Sequence, residues 1–166
     1  VLFLTAPDSH YQHNAALSAQ LSELFNNYTA DWLLLPAPLD YHRDHVAISL
    51  SLLEIWQQCG QRQRVFCYET WTPLPATWVI DISSVFYLKQ QAVQCHQLPL
   101  KYCDYLTACQ GMAHYRSLYL PQSQQAEVLL ELDAAHWPAL LTSLYSIREY
   151  QEHFLLKRSH GAFHER

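Results

Sequence analysis

At 166 residues, half of them hydrophobic, the chain is long enough to bury one core and too short for two independent ones. Ten Lys plus Arg against fifteen Asp plus Glu leave a formal charge of -5, which excludes the basic footprint that neutralises phosphates along a nucleic acid. No apolar run approaches the roughly 20 residues needed to cross a bilayer, because Pro36 ends Trp32–Leu35 and Ser49, Ser51 and Glu54 interrupt Val46–Trp56.

Val1-Leu2-Phe3-Leu4 reads as a buried strand and lacks the basic lead-in of a signal peptide. A sequence opening directly on such a strand predicts that part of the domain lies upstream. Leu17, Leu21, Leu24, Phe25 and Tyr28 recur at helical spacing, with Asn14 as cap and Asn26-Asn27 closing the run. Trp32–Leu35 is wholly apolar, the pattern of a central strand covered on both faces. A proline-stiffened polar loop, Pro36–His45, follows. Val46, Leu50, Leu53 and Ile55 or Trp56 form the next helical stripe, stopped at Cys59-Gly60, where glycine takes the left-handed conformation at low cost.

Val65–Tyr68 and Trp78–Ile82 read as strands around the loop Glu69-Thr70-Trp71-Thr72-Pro73-Leu74-Pro75. Helical spacing resumes near Ser84, breaks at Pro99 and continues through Tyr102, Tyr105 and Leu106. Glu127–Leu132 is a last strand, and Ala134 to about Leu156 a closing helix before a His-rich polar tail. This alternation predicts an α/β domain over residues 1–131, a Rossmann-like three-layer sandwich with a mostly parallel sheet, short of its N-terminal strand or strands. Residues 132–166 form the closing helix and tail. A sheet lacking its first strands exposes an edge, so self-association is expected.

Cys59, Cys67, Cys95, Cys103 and Cys109 are odd in number and contain no CxxC pair, which fits a reducing, cytoplasmic setting better than a disulfide framework. The three glycines, Gly60, Gly111 and Gly161, are isolated, so no phosphate-cradling loop of a nucleotide-binding domain is present.

The sharpest local feature is Asp40-Tyr41-His42-Arg43-Asp44-His45, two imidazoles three apart beyond the carboxyl end of a predicted strand, where open α/β sheets bind ligands. Two readings fit the spacing. One imidazole binds a divalent metal while the other faces the same cavity, with Asp44 holding a ring N–H; or these are solvated loop residues, with Asp44 capping a helix that begins near His45. Asp8, His10 and His13 are open to the same pair of readings, as further metal ligands or as a solvated loop.

The segment Leu34–His45 resembles the second signature of the LmbE/PIG-L family, in which a strand delivers a P-x-D-x-H-x-D-H loop. Further pieces stand in the family's order: Tyr68–Pro75, Asp81-Ile82, then Lys89, Ala92 and His96, Tyr115-Arg116 and Ala126-Glu127. The resemblance runs from about Val1 to Glu131. It implies a zinc-dependent de-N-acetylase acting on an N-acetylated amino sugar or related glycoconjugate. His45 would be the metal ligand, His42 the group that stabilises the oxyanion or protonates the leaving amine, and Asp44 a catalytic residue that orients an imidazole.

Tyr68 and Trp71, with Asp40, would contact substrate; Glu69 and Trp78 stand beside them. Packing of these aromatics at strand ends and a turn-forming role for Asp40 are the alternatives. Arg116 with Tyr115 reads either as a contact for an anionic group or as a solvated arginine at a helix end.

The family also places an H-P-D-D motif after its first strand, supplying two further metal ligands and the general base, and this sequence contains none. Ala6-Pro7-Asp8-Ser9-His10 lacks the leading His and the second Asp. The 166 residues alone are therefore expected to be inactive. Two functional expectations follow: part of a metal-dependent amidase, or a non-catalytic relative that serves as a carbohydrate-binding or interaction domain.

Overall fold

The computed structural model describes residue 4, residues 15–60 and 62–133, and the single positions 135, 139, 142 and 143. Among the described residues nine elements follow in order: α1 (Ala15–Asn27), β1 (Trp32–Pro36), α2 (Arg43–Gln58), β2 (Arg64–Tyr68), β3 (Trp78–Asp81), α3 (Phe86–Gln94), α4 (Gln97–Leu100), α5 (Tyr105–Ser117) and β4 (Ala126–Leu132). They fall into two units, the described residues up to Pro73 with those from Glu131, and Leu74–Leu130.

The first unit is built on a β1-α2-β2 crossover. The strands pair in parallel from Trp32 opposite Arg64 to Pro36 opposite Tyr68, so the loops after both strands leave from the same end. α2 supplies most of the core because it is buried on two sides: Val46, Leu53 and Trp56 share one side of a helix of 3.6-residue period, and Ile55 lies on the opposite side, toward α1. Leu17 and Leu21 of α1 pack on Ile55, joined by Leu4, Leu24, Phe25, Leu52 and Cys59. The buried Trp56 ring is satisfied by its N–H donating to the Gln63 carbonyl at 3.1 Å. Gly60 takes φ +87° just after the Cys59 cap of α2, the left-handed turn expected there.

β1 departs from the expectation of a strand covered on both faces. Leu35 is fully buried, whereas Leu34 is 52% and Trp32 57% exposed. Trp32 leans on Phe66, centroids 5.2 Å apart, and the Arg64 guanidinium stacks over the same Phe66 ring at 5.0 Å. A run of apolar residues does not itself distinguish one covered face from two.

In the second unit β3 and β4 are antiparallel, Trp78 opposite Leu129 and Asp81 opposite Ala126. The described fold is α/β with one parallel and one antiparallel pair, and the expected mostly parallel sheet is corrected to that extent. The cause is the excursion after β3. Three helices in succession return the chain beside the strand end it left, where the Ile82 N–H bonds the Gln125 carbonyl at 3.0 Å. Ser83 and Ser123 seal this junction by donating to Asp81 Oδ1 at 2.6 and 2.8 Å, and these bonds, Ser83 first, hold the Asp81 carboxyl below its usual range.

The helical stretch expected from near Ser84, broken at Pro99 and continued through Leu106, is three helices. The break falls at Cys95 and His96, while Pro99 sits third in α4, within a first turn whose N–H groups have no intrahelical acceptor. α5 is capped by Asp104, whose side chain accepts from the Thr107 N–H at 3.0 Å. Ile82, Phe86 and Ala113 form the small core of this unit.

No described helix is long and apolar enough to cross a membrane. The expected first strand apart from Leu4, the Asn14 cap, Asp8, His10, His13 and the His-rich tail lie outside the described residues, as does the closing helix except at single positions.

Candidate active site around Asp40, His42 and His45

β1 ends at Pro36 and the chain turns before α2 begins at Arg43. The turn is closed by Asp40: its N–H donates to the Ala37 carbonyl at 3.0 Å, and its Oδ1 accepts from the His42 N–H at 2.8 Å. His42 then caps the helix, its Nδ1 accepting the Asp44 N–H at 3.3 Å. The helix therefore begins at Arg43 with His42 as cap, not near His45 with Asp44 as cap. Asp44 lies in the first turn, where its negative charge complements the positive end of the helix dipole.

The imidazole N–H expected to be held by Asp44 is held by Asp40. His45 Nδ1 stands 3.1 Å from Asp40 Oδ1, and Asp40 Oδ2 accepts from the Trp71 N–H at 3.0 Å. The Asp40 side chain is entirely withdrawn from solvent, while that of His45 remains 29% exposed. Asp40, expected to contact substrate, thus has both oxygens bound within the protein and serves to hold the turn. A carboxylate placed between fixed donors in this way orients an imidazole.

The two rings have opposite polarity at their free nitrogens. An ionised carboxylate has no proton to give, so His45 is the donor, with its proton on Nδ1 and, in the neutral ring, a lone pair on Nε2. His42 accepts at Nδ1, so its neutral ring carries the proton on Nε2. The ring centroids are 4.7 Å apart with planes inclined by 34°. The site therefore offers one nitrogen lone pair beside one N–H donor.

Ser49, unremarked in the sequence except as an interruption of an apolar run, is fully buried and fixes the turn from below. Its hydroxyl lies 2.6 Å from the Pro36 carbonyl and 2.7 Å from that of His45. A serine one helical turn beyond His45, on the apolar face of α2, was the available signal.

Tyr68 and Trp71 reach the same end of the unit because β1 and β2 are parallel and in register. Tyr68 is partly exposed; burial first, then the Asp40 charge, then Cys67, push its phenol above the usual range. Trp71 is 44% exposed and pairs with Tyr41, 65% exposed, at a centroid distance of 6.5 Å. Tyr41 was not among the residues singled out from sequence.

In the second unit, Arg116 is buried and not solvated. Its Nη2 donates to the Leu74 carbonyl at 3.0 Å, and its guanidinium lies 5.5 and 5.6 Å from the Tyr115 and Tyr119 rings. Lys89 of α3 pairs with Glu127 of β4.

Among the described residues no group of three or more His, Cys, Asp or Glu side chains is placed to hold a metal ion. His45, with Nδ1 held and Nε2 free, suits a single coordination position.

No protein-family model matches the sequence, and no curated protein matches it. The fold is similar to that of the conserved protein TT1542 from Thermus thermophilus, with a TM-score of 0.66 at 19% identity over 75% of this chain. The likeness covers 61% of the length of that protein.

Proposed function

We propose that this chain carries the histidine half of a divalent-metal amidase site of the LmbE/PIG-L kind, acting on an N-acetylated amino sugar or glycoconjugate. The observation that supports this reading is the opposite polarity of the paired imidazoles beyond the end of β1, His45 with a free lone pair and His42 with a free N–H. Amide hydrolysis needs both functions, one to hold an electrophilic centre and one to stabilise negative charge on the carbonyl oxygen or to protonate the departing amine.

His45 Nε2 would hold zinc or a similar cation, the remaining ligands coming from outside the described residues. Such an ion, when bound, supplies Lewis acidity and a water more acidic than bulk water. His42 Nε2–H donates to the developing oxyanion, and its cap bond from Asp44 fixes the ring plane. Asp40 holds His45 in the tautomer that leaves Nε2 free. Trp71 and Tyr41 offer apolar ring faces to a sugar beside these groups.

The exposed Tyr41–Trp71 pair also favours the second reading, a non-catalytic carbohydrate-binding domain. Zn²⁺ titration of the chain and of His45→Ala, with binding of N-acetylglucosamine conjugates measured in parallel, separates the two. Metal binding that depends on His45 supports the amidase reading. Metal binding indifferent to His45, with sugar binding retained, rejects it in favour of the second.

A further inference from the structure

We infer that Asp40 is a positioning residue that fixes the tautomer of His45 and couples that ring to the loop bearing Trp71. Three N–H groups converge on this one solvent-excluded carboxylate: the His42 backbone at 2.8 Å, the His45 ring at 3.1 Å and the Trp71 backbone at 3.0 Å. They come from three places in the chain, the turn itself, the first turn of α2 and the loop after β2. A buried carboxylate is costly unless its lone pairs are met, so each donor is held by the others' presence.

The direction of the third bond follows from the carboxylate. A carboxylate can only accept, so the His45 ring is the third donor, through Nδ1–H, and in the neutral ring its Nε2 lone pair is directed elsewhere. The His45 backbone is fixed independently, since Ser49 Oγ joins its carbonyl to that of Pro36 at 2.7 and 2.6 Å. With the backbone pinned, the remaining freedom of His45 is rotation of the ring, and Asp40 removes it.

Movement of the Trp71 loop pulls on Oδ2 and so on the carboxylate that orients His45. A ligand stacked on the Trp71 indole is thereby sensed at the imidazole without touching it. Asp40 performs this role whether or not His45 binds a metal, so failure of the metal reading leaves the tautomer assignment standing.

The test is nitrogen-detected NMR of the histidine rings of the full chain at about pH 8, where ordinary imidazoles are neutral, combined with amide exchange at Trp71. His45 is expected as a single tautomer protonated at Nδ1. A proton on Nε2 in the wild-type chain overturns the inference with no variant needed. Asp40→Asn replaces one acceptor oxygen by an NH₂ donor, so either the His45 or the Trp71 N–H loses its acceptor.

The expected result is a mixed His45 tautomer, or Trp71 amide exchange faster by about tenfold, the factor appropriate to one lost charge-assisted hydrogen bond. An unchanged His45 spectrum with unchanged Trp71 exchange in that variant overturns the role of Asp40. Trp71→Pro removes the loop N–H together with the indole, and Trp71→Ala, which loses the indole but keeps the N–H, is its control; the pair tests the coupling if Asp40→Asn does not fold. Displaced His45 ring signals are expected, and unmoved signals overturn the coupling.

Discussion

His42 and His45 stand with their rings 4.7 Å apart, and each is tied at Nδ1, one as acceptor from the Asp44 amide and the other as donor to the Asp40 carboxylate. Their free nitrogens are therefore chemically different although the side chains are identical. The difference assigns them separate work and makes each replaceable in a distinguishable way.

For His45 the expected outcome of substitution by alanine is a loss of Zn²⁺ affinity of at least about a hundredfold, as for removal of a ligand. The ring is partly exposed, so the thermal midpoint should move little. His42→Ala should leave metal affinity close to that of the wild type. Calorimetric titration of the two variants side by side checks the assignment, and equal losses in both would refute it.

His42 carries two duties that can be separated. Alanine at this position removes the helix cap and should lower stability by about 1 kcal/mol. Asparagine, a good cap residue, should restore that stability. On the proposed amidase reading neither residue supplies the oxyanion donor, so acetate release should fall by about 10² to 10³ in both variants. Urea unfolding and acetate release, measured on both variants, separate the cap from the chemistry.

Ser49 is buried without exposure and bonded to two carbonyls. Ser49→Ala leaves the Pro36 carbonyl without this donor in the interior, and a loss of about 1–3 kcal/mol is expected. Denaturant unfolding gives the value, and a change under about 0.5 kcal/mol, the range of ordinary surface substitutions, would show that water replaces the hydroxyl.

Cys67 on β2 is buried, and that burial pushes its thiol from an ordinary 9.0 up to about 12. In the unfolded chain the thiol ionises near its ordinary value while the folded chain keeps it protonated. Its contribution to stability is thus full below about pH 9 and declines between there and pH 12. The raised Tyr68 phenol acts in the same direction. Urea midpoints from neutral to strongly alkaline pH should fall, and Cys67→Ala should flatten the slope. The same burial predicts that Cys67 resists alkylation in the native protein while the exposed Cys95 and Cys103 react.

Local pattern was enough to determine the elements of the first unit. Apolar residues at 3.6-residue spacing mark α1 and α2, short apolar runs mark β1, which ends on Pro36, and β2, and Gly60 marks the end of α2, because helices, strands and turns select residues by rules that act over a few positions. The parallel β1-α2-β2 crossover, and the position of Asp40–His45 at its carboxyl end, followed from the same local order. Tertiary structure alone decided three things. Three helices between β3 and β4 made that pair antiparallel, since only the path of the excursion sets where the chain returns. The bonding partner of His45 is Asp40, five residues before it, and not the adjacent Asp44, since the first turn of α2 carries the Asp44 carboxylate away from the ring that Asp40 faces. Trp71 closes the same carboxylate from 31 residues away, a contact that parallel register brings about and that no spacing along the chain encodes.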